Sequence, residues 1–303
     1  MIKPVIMAPA GSFESLSAAL RSGADAVYFG VGTLNMRSGA AVNFTESDLT
    51  KVMRLCRAAG VKAYLTLNII IYDNELAQVE SLLDAAASAG VDAVIASDLA
   101  VILAARRRGI PVHLSVQANV SNLESLRFYA QYCDVVVPAR ELSLSAIKHF
   151  INSIAAEKIN GPGGEPVKIE LFAHGALCVA VSGKCYMSLT KYNASANRGA
   201  CLQNCRRRYR VIDLDDGNAM DLENGYVMSP ADLCMIRFIP ELMSAGVSVL
   251  KLEGRGRSAD YVAVVTQAYR RAVDAVASGT FTPELAGQLE AQLNTVFNRG
   301  FWH

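Results

Sequence analysis

Four of the seven cysteines lie close together in one stretch of the chain. They form the pattern Cys178-x6-Cys185-x15-Cys201-x3-Cys205. Thiolates are soft ligands that suit zinc or an iron–sulfur cluster. A zinc ribbon usually has two Cys-x2-Cys pairs, and this stretch has no such pair. The spacing therefore favours a metal or cluster site over structural zinc, and redox disulfide chemistry is the alternative.

The other three cysteines have different surroundings. Cys56 and Cys133 fall inside helical patterns, where a small buried thiol is the expected role. Cys234 lies near the start of a later helical pattern. We keep it as a substitute for Cys205 as the fourth ligand.

Three charged residues alternate at the end of the last predicted strand. Lys251, Glu253 and Arg255 share one face because side chains on a strand repeat with a period of two. Charges at such a place are costly unless they are paired or functional. We predict that Arg255 grips a carboxylate, that Lys251 binds substrate and that Glu253 is catalytic. A structural ion pair of Glu253 with an arginine is the alternative.

Two histidines are candidates for proton transfer. His113, Ser115 and Gln117 share one face of the fifth predicted strand, and Asn119 follows; we predict that His113 is catalytic and that Gln117 and Asn119 bind substrate. A polar layer inside a barrel is the alternative. His174 ends the seventh strand just before Cys178, where it is predicted to handle a proton or to donate to a cluster sulfur. Packing within the loop is the alternative for His174.

Arginines supply candidate anion sites. Arg140, followed by Glu141, ends the sixth strand and is predicted to bind an anionic substrate. A basic run directly follows the last cysteine of the quartet and consists of Arg206, Arg207, Arg208 and Arg210. These guanidinium groups would grip RNA phosphates or an anionic substrate, or form only a solvated edge. Weaker candidates for the same pocket are Tyr28, Asn68 and Asp98.

The elements that must position these residues repeat along the chain. A helix ends at a glycine and a β-branched strand follows, at Gly23, Gly60, Gly90 and Gly246. Strands are predicted near 4–8, 25–29, 62–68, 92–96, 111–115, 134–138, 167–172 and 248–252. Helices are predicted near 12–22, 45–59, 74–89, 98–108, 121–132, 143–156, 230–245 and 258–278. Eight such units predict a (β/α)8 TIM-type barrel, with an open doubly wound sheet as the alternative.

One connection is far longer than usual for such a fold. We predict a single barrel domain over 1–303, with 173–228 as an inserted cluster-binding loop region after strand seven. That insertion would lie at the carboxyl ends of the strands, where barrel enzymes carry their chemistry. Helix starts are predicted at Ser12, Thr45 and Ser229, the last followed by Pro230 as the first helical residue.

Composition limits the remaining classes. The net charge is +1 and 19% of residues are charged, so the total charge gives no reason to expect an anionic partner. No apolar run is long enough to span a membrane, and the start lacks a signal sequence. A cytoplasmic protein is therefore expected. HExxH and GxSxG motifs are missing, which disfavours zincin and serine-hydrolase chemistry.

Long motifs along nearly the whole chain resemble those of one known family. They are Met7-Ala-Pro-Ala-Gly11, Gly23-Ala-Asp-Ala-Val-Tyr28, His113-Leu-Ser-Val-Gln-Ala-Asn119, Arg140-Glu-Leu-Ser143, Glu170-Leu-Phe-Ala-His-Gly-Ala-Leu-Cys178, Asn197-Arg-Gly-Ala-Cys201 and Lys251-Leu-Glu-Gly-Arg255. On these residues the chain resembles the collagenase-like "unassigned peptidase" family thirty-two.

The resemblance implies two classes of function. Several members are oxygen-independent hydroxylation factors that bind a [4Fe-4S] cluster through four cysteines, and other members are described as collagenases or peptidases. The hydroxylation factors act on tRNA wobble uridine, on 23S ribosomal RNA cytidine or on the ubiquinone ring, with prephenate as the implicated hydroxyl source. Cys201-Leu-Gln-Asn-Cys205-Arg206 is most similar to the tRNA uridine 5-hydroxylation branch. By resemblance, tRNA is the expected partner and prephenate the expected co-substrate.

Two alternatives stay open at this point. A peptidase would keep the barrel and use the cysteines as structural zinc ligands or free thiols. Family members usually continue beyond Phe301-Trp302-His303, which makes a non-catalytic partner worth keeping. Such a protein would bind a cluster and form a heterodimer with a second family member.

Overall fold

Eight parallel strands close into a barrel. The computed structural model describes residues 3–39, 41–220 and 225–302. In chain order the strands are β1 Val5–Ala10, β2 Ala26–Gly30, β3 Lys62–Leu67, β4 Ala93–Ala96, β5 Val112–Leu114, β6 Val135–Val136, β7 Lys168–Ala176, β8 Val211–Ile212, β9 Ala219–Met220, β10 Asp232–Cys234, β11 Val249–Leu252 and β12 Phe301–Trp302. Strands β1 to β7 pair in sequence, and β11 joins β7 to β1. The predicted (β/α)8 barrel is therefore confirmed.

Helices surround the barrel between its strands. They are α1 Phe13–Arg21, α2 Leu49–Ala58, α3 Leu76–Ala89, α4 Leu99–Arg107, α5 Leu123–Ala130, α6 Leu144–Glu157, α7 Met187–Tyr192, α8 Ile239–Ala245, α9 Ala259–Ser278 and α10 Pro283–Leu293. Ser12 caps α1 as predicted, and its hydroxyl accepts from the Ser15 backbone N–H at 3.3 Å. Thr45 precedes a short 3₁₀ turn that leads into α2. None of the helices in the described part of the chain is long and apolar enough to cross a membrane.

The helix-ending glycines adopt the predicted left-handed conformation. Their φ angles are 86° at Gly23, 67° at Gly60, 71° at Gly90 and 91° at Gly246. A positive φ is strained for residues with a Cβ, so glycine closes each helix and lets the chain turn into the next strand. The repeated motif in the sequence therefore reports one repeated αβ connection.

The barrel interior holds both apolar and charged side chains. One cluster inside it is apolar and aromatic and consists of Met7, Ala26, Tyr28, Tyr64, Ala93, Ile95, Val135 and Val249. Glu170 and Lys251 lie at the same level of the strands as Val249 and Met7, at 0% and 5% exposure. Buried charges need partners, so these two residues mark the polar part of an otherwise apolar interior.

The segment after β7 differs from the prediction at both of its ends. Strand β7 continues to Ala176, so the insertion predicted at 173–228 begins later, and its described part carries α7 and the β8–β9 hairpin. The predicted helix 230–245 is wrong over its first half. Ser229 and Pro230 lead into β10, which pairs antiparallel with β7, and only α8 is α-helical. Asp232 is 1% exposed there and lies 3.1 Å from Arg299 Nη1, an ion pair that favours the strand over a helical first turn.

Two glycine-to-alanine changes should shift stability in opposite directions. At both Gly60 and Gly287, a Cβ would meet no atom within 4 Å, so only the backbone conformation differs. Gly60→Ala should destabilise the fold by about 1 kcal/mol because φ is 67° there. Gly287→Ala, inside α10, should stabilise it by about 1 kcal/mol. Urea denaturation measures both, and equal effects of the two changes would contradict this account.

Candidate active site

A cavity of about 240 Å³ opens at the carboxyl ends of the barrel strands. Side chains from six strands or the loops that follow them line it, including Tyr28, Thr66, Ser115, Arg140, Phe172 and Lys251. Active sites of TIM barrels lie at this end because the βα loops meet there. The cavity is therefore the candidate site, and it also contains cysteines of the insertion.

The alternating triplet at the end of β11 lies in this cavity. Lys251, Glu253 and Arg255 all line it, as the period of two predicts. They are 5%, 9% and 5% exposed, so each charge needs a partner from the protein. Each of the three residues has a different partner, and the partner indicates what each residue could do in the cavity.

Glu253 is paired with an arginine that the sequence did not single out. Arg37, in the loop after β2, donates from Nε to Glu253 Oε1 at 3.1 Å, and its Nη2 contacts the same oxygen. Burial opposes ionisation of Glu253, but Arg37, Arg255 and Arg140 outweigh it and hold the pKa of the carboxyl at about 2. Its second oxygen, Oε2, is buried and has no partner. Glu253 is thus an anion whose second oxygen has no hydrogen-bond partner in the protein.

Arg255 and Arg140 approach the cavity from different walls. Arg255 Nη1 donates to Asn35 Oδ1 at 3.0 Å and to Thr66 Oγ1 at 2.8 Å, and burial lowers its pKa to about 10. Arg140 stacks on the Phe172 ring, with Cζ 4.3 Å from the ring centroid. Its Nε is buried and has no partner. Both guanidinium groups are held by neutral neighbours, which leaves their charge available to an anion.

Lys251 is bound to a buried carboxylate that lies deeper in the barrel. Its Nζ donates to Glu170 Oε1 at 2.8 Å, and Glu170 is 0% exposed. Glu170 Oε2 lies 3.6 Å from His113 Nδ1, and neither atom has another hydrogen-bond partner. His113 packs on Tyr64, with ring centroids 4.5 Å apart, and does not line the cavity. His113 therefore reaches the site only through Glu170 and Lys251.

The predicted Ser115–Gln117–Asn119 series is interrupted by a turn. Strand β5 ends at Leu114, and a 3₁₀ turn covers 116–118. Gln117 still reaches the cavity, where Ser115 Oγ donates to Gln117 Oε1 and Asn68 Nδ2 lies 3.4 Å from both oxygens. Asn119 ends the turn with φ 55° and is not among the residues that line the cavity. Because the period of two ends with the strand, Asn119 does not share the position of Ser115 and Gln117, and its binding of substrate stays a prediction.

His174 faces away from the cavity, contrary to the predicted catalytic role. The register of β7 against β11 shifts between Lys251 and Leu252, so that His174 pairs with Leu252. Such a β-bulge moves the following side chain to the other face of the strand. His174 packs among aromatic rings at 2% exposure, and burial lowers its pKa to about 3. It is therefore neutral, and it does not line the cavity.

The four clustered cysteines come together at the wall of the cavity. Cys178, Cys185, Cys201 and Cys205 all line a second, smaller cavity of about 80 Å³, and all but Cys185 also line the larger one. Burial is the main reason that the pKa of Cys205 is raised, and the other three thiols add to it. Within residues 3–39, 41–220 and 225–302, no three His, Cys, Asp or Glu side chains form a group able to hold a single metal ion.

The remaining cysteines lie elsewhere. Cys234 is fully buried in β10, burial raises its pKa to about 11, and it lines neither cavity. Cys205 lines both cavities, so the structure brings Cys205 and not Cys234 together with the other three cysteines. Cys56 and Cys133 are both 0% exposed, as expected, although Cys133 follows α5 rather than lying within it.

Arg206 and Arg207 begin the basic run but face different ways. Arg206 lines the cavity and its guanidinium donates to the backbone carbonyls of Leu177 and Pro230, the latter at 2.6 Å, and to Ser229 Oγ at 2.9 Å. It therefore connects the two ends of the insertion, a structural role besides the predicted binding one. Arg207, Arg208 and Arg210 are exposed. Asp98 caps α4, and Glu141 is exposed, so neither belongs to the cavity.

Comparison of the whole sequence with known families gives a match to one of them. The sequence profile of peptidase family U32 matches residues 11–303. This chain belongs to peptidase family U32. The resemblance seen in the motifs is therefore confirmed.

Relatives within family U32 have names of two kinds. A Porphyromonas gingivalis protein named collagenase is 54% identical over 297 residues, 98% of this chain and 72% of that protein. The Bacillus subtilis tRNA hydroxylation protein P1 is 36% identical over 280 residues, 90% of this chain and 64% of that protein. The Escherichia coli tRNA hydroxylation protein P is 31% identical over 349 aligned positions, 99% of this chain and 75% of that protein.

Removal of the Arg37 charge should destabilise the fold and change how the free energy of unfolding depends on pH. Arg37→Gln leaves Glu253 buried without its main partner, and we expect the free energy of unfolding to fall by about 3 kcal/mol. The pKa of Glu253 is lowered on folding from 4.5 to about 2. The wild-type pair therefore stabilises the fold fully above pH 4.5, and this stability is lost as the pH falls through about 2.

Denaturation as a function of pH tests both expectations. The variant should show a flatter dependence than the wild type below pH 4.5. Arg54→Gln is the matched control because Arg54 is exposed on α2. If both variants unfold with the same free energy, the Arg37–Glu253 pair does not stabilise the cavity.

Proposed function

We propose that this chain is an iron–sulfur enzyme of oxygen-independent RNA hydroxylation, with tRNA wobble uridine as substrate and prephenate as hydroxyl source. One observation carries the proposal: a group of four thiols shares a wall with a cation-rich cavity at the carboxyl end of the barrel. Relatives named as tRNA hydroxylation proteins support the substrate class. The cluster, the donor and the position on the RNA belong to the proposal.

The four thiols are placed so that they could bind one [4Fe-4S] cluster. In such a cluster each thiolate binds a different iron. All four thiols line one small cavity beside the larger one. Their spacing in the sequence has no Cys-x2-Cys pair, which is the usual pattern of a zinc ribbon. We therefore assign Cys178, Cys185, Cys201 and Cys205 as the cluster ligands.

The barrel residues would bind the anionic donor beside the thiols. When bound, such a cluster supplies one-electron transfer or a Lewis-acidic iron next to the cavity. Prephenate is a dicarboxylate, and Arg140 and Arg255 offer two guanidinium groups that no protein carboxylate neutralises directly. Glu253 Oε2 is a free acceptor in the same space and is suited to bind a hydroxyl or to accept a proton.

The exposed part of the basic run is suited to an RNA backbone. Arg207, Arg208 and Arg210 are exposed directly after the last thiol of the group. Arg207 also lies over the Tyr192 ring, with Cζ 5.4 Å from its centroid. Guanidinium groups beside an exposed aromatic ring bind phosphates and stack on bases. The target base would then enter the cavity as an unpaired base.

A peptidase is the second candidate, and the collagenase relative at 54% identity favours it. The cavity offers less support. His113 and His174 are both buried and line neither cavity, so they cannot activate a nucleophile there directly. A non-catalytic role beside a second family member is the remaining alternative.

Loss of one thiol should abolish cluster binding. Protein purified without oxygen should contain iron and sulfide and absorb visible light, and Cys201→Ala should lose all three properties. Cys234→Ala is the matched control and should retain them, because Cys234 lines neither cavity. A colourless wild type with stoichiometric zinc after anaerobic reconstitution would refute the cluster.

tRNA from a strain that lacks its own hydroxylation protein should regain 5-hydroxyuridine when this chain is expressed. Nucleoside mass spectrometry measures the product, and Arg140→Ala should reduce it at least 10-fold because the donor loses a buried charge partner. Arg54→Ala, on the exposed face of α2, is the control. Cleavage of collagen peptides by both the wild type and Cys201→Ala, without tRNA product, would instead support the peptidase. Product only in the presence of a second family member would support the partner role.

A further inference from the structure

We propose that Lys251 is a nucleophilic amine that forms an imine with a small 2-oxo acid bound in the barrel cavity. The inference deepens the donor site of the proposed function, because prephenate itself carries a 2-oxo acid group. It depends on the barrel residues alone and not on the thiols. An amine, an acid–base partner and carboxylate-binding groups meet at one place, and each of the three is required for imine chemistry.

The amine lies at the cavity surface although its stem is buried. Lys251 lines the cavity, and its side chain is 7% exposed. Its Nζ lies 4.7 Å from the centroid of the Tyr28 ring and 5.4 Å from that of the Phe172 ring. These two rings pack against Nζ and restrict the access of water to it. A planar carbonyl compound could therefore reach the amine from the open side.

The same two rings place guanidinium groups near the amine. Arg140 Cζ is 4.3 Å from the Phe172 centroid, and Arg255 Cζ is 5.8 Å from the Tyr28 centroid. A carboxylate held by either group would present an adjacent carbonyl carbon toward Lys251. Arg140 is the better anchor because its Nε is buried and has no protein partner. A 2-oxo acid has its carboxylate and its carbonyl on neighbouring carbons, which is the separation that such a site needs.

Glu170 provides a proton acceptor at hydrogen-bond distance from the amine. It accepts from Lys251 Nζ at 2.8 Å through Oε1, whereas Oε2 has no hydrogen-bond partner and faces His113 Nδ1 at 3.6 Å. Glu170 Oε2 and His113 Nδ1 can form a hydrogen bond whichever of the two atoms carries the proton. A protonated Nδ1 would donate to the carboxylate, and an unprotonated Nδ1 would accept from the carboxylic acid. Transfer of the lysine proton to Glu170 therefore gives a neutral amine and a neutral carboxylic acid. In that state Glu170 Oε2 and His113 Nδ1, which have no other partner, can bind each other.

Glu170 is the carboxylate that is placed to exchange a proton with the amine. Arg37, Arg140 and Arg255 line the same cavity. Glu253 is bound to Arg37, whereas Glu170 is bound to Lys251.

The reaction balances without an oxidant or a metal. Glu170 takes a proton from the Lys251 ammonium, and the free amine adds to the ketone carbon while a second proton moves from nitrogen to oxygen to give a neutral carbinolamine. Glu170 then returns its proton to the hydroxyl group, which leaves as water while nitrogen forms the C=N bond. The products are one protonated imine and one water, Glu170 is a carboxylate again, and the bound acid is neither oxidised nor reduced.

Borohydride trapping tests the imine directly. The full chain is incubated with pyruvate and sodium cyanoborohydride, digested and mapped by mass spectrometry. We expect one reduced pyruvate per chain, on the peptide that contains Lys251. Lactate, which has the carboxylate but no ketone, should give no adduct and should slow trapping by competition. Because the map is made on wild-type protein, the result does not depend on whether a variant folds.

Three variants test, in turn, the role of Lys251 as the nucleophile, the role of Glu170 as the acid–base group and the level of non-specific trapping. Lys251→Arg keeps the charge and should give no adduct above background. Glu170→Gln keeps the contact with Lys251 but cannot carry the proton, so the rate of trapping should fall about 100-fold. Lys168→Arg, at the exposed amino end of the same strand β7 as Glu170, should trap at the wild-type rate.

An adduct that is absent, spread over exposed lysines or unchanged in Lys251→Arg would overturn the proposal. Iron and sulfide content are measured on the same samples. A protein with a cluster but no adduct refutes only the imine, and a protein with an adduct but no cluster refutes only the iron–sulfur assignment.

Discussion

The pairing of β7 with β11 is the constraint on which the rest of the structure depends. It closes the barrel, and the closed interior makes each charge on the inner face of these strands costly unless it has a partner. Lys251 and Glu170 satisfy each other across this pairing. The register shift just above them turns His174 outward, so the pairing decides both which polar groups enter the cavity and which are excluded.

The cavity is strongly cationic but is not uniformly charged. Arg37 is neutralised by Glu253, and Lys251 by Glu170, whereas Arg140 and Arg255 are held by an aromatic ring and neutral oxygens. Of these four charges, two are paired with buried carboxylates and two are not. This division explains how a protein with a net charge of +1 can carry a strong local anion site.

Most of the fold and part of the site could be predicted from residue patterns. Glycine after four of the helices and unbroken apolar strands predicted the barrel. The alternate spacing of Lys251, Glu253 and Arg255 predicted that they share one face, and all three line the cavity. Predictions of position failed where a period ended or shifted, as at Asn119 after a turn and at His174 after a bulge. Arg37 lies in a loop without periodicity, and its role becomes visible only in three dimensions. Glu170 carried a signal that was not used, namely a carboxylate inside an apolar strand.

Arg206 binds the backbone at both ends of the insertion, at Leu177 and at Pro230. The thiol region is therefore attached to the barrel at its base, and Arg198 attaches it a second time by donating to the Ile70 carbonyl at 2.7 Å and to Glu75 at 2.8 Å. The side chains that make these attachments are arginines and not the cysteines. A chemical change at the thiols therefore leaves the contacts that attach the insertion to the barrel in place.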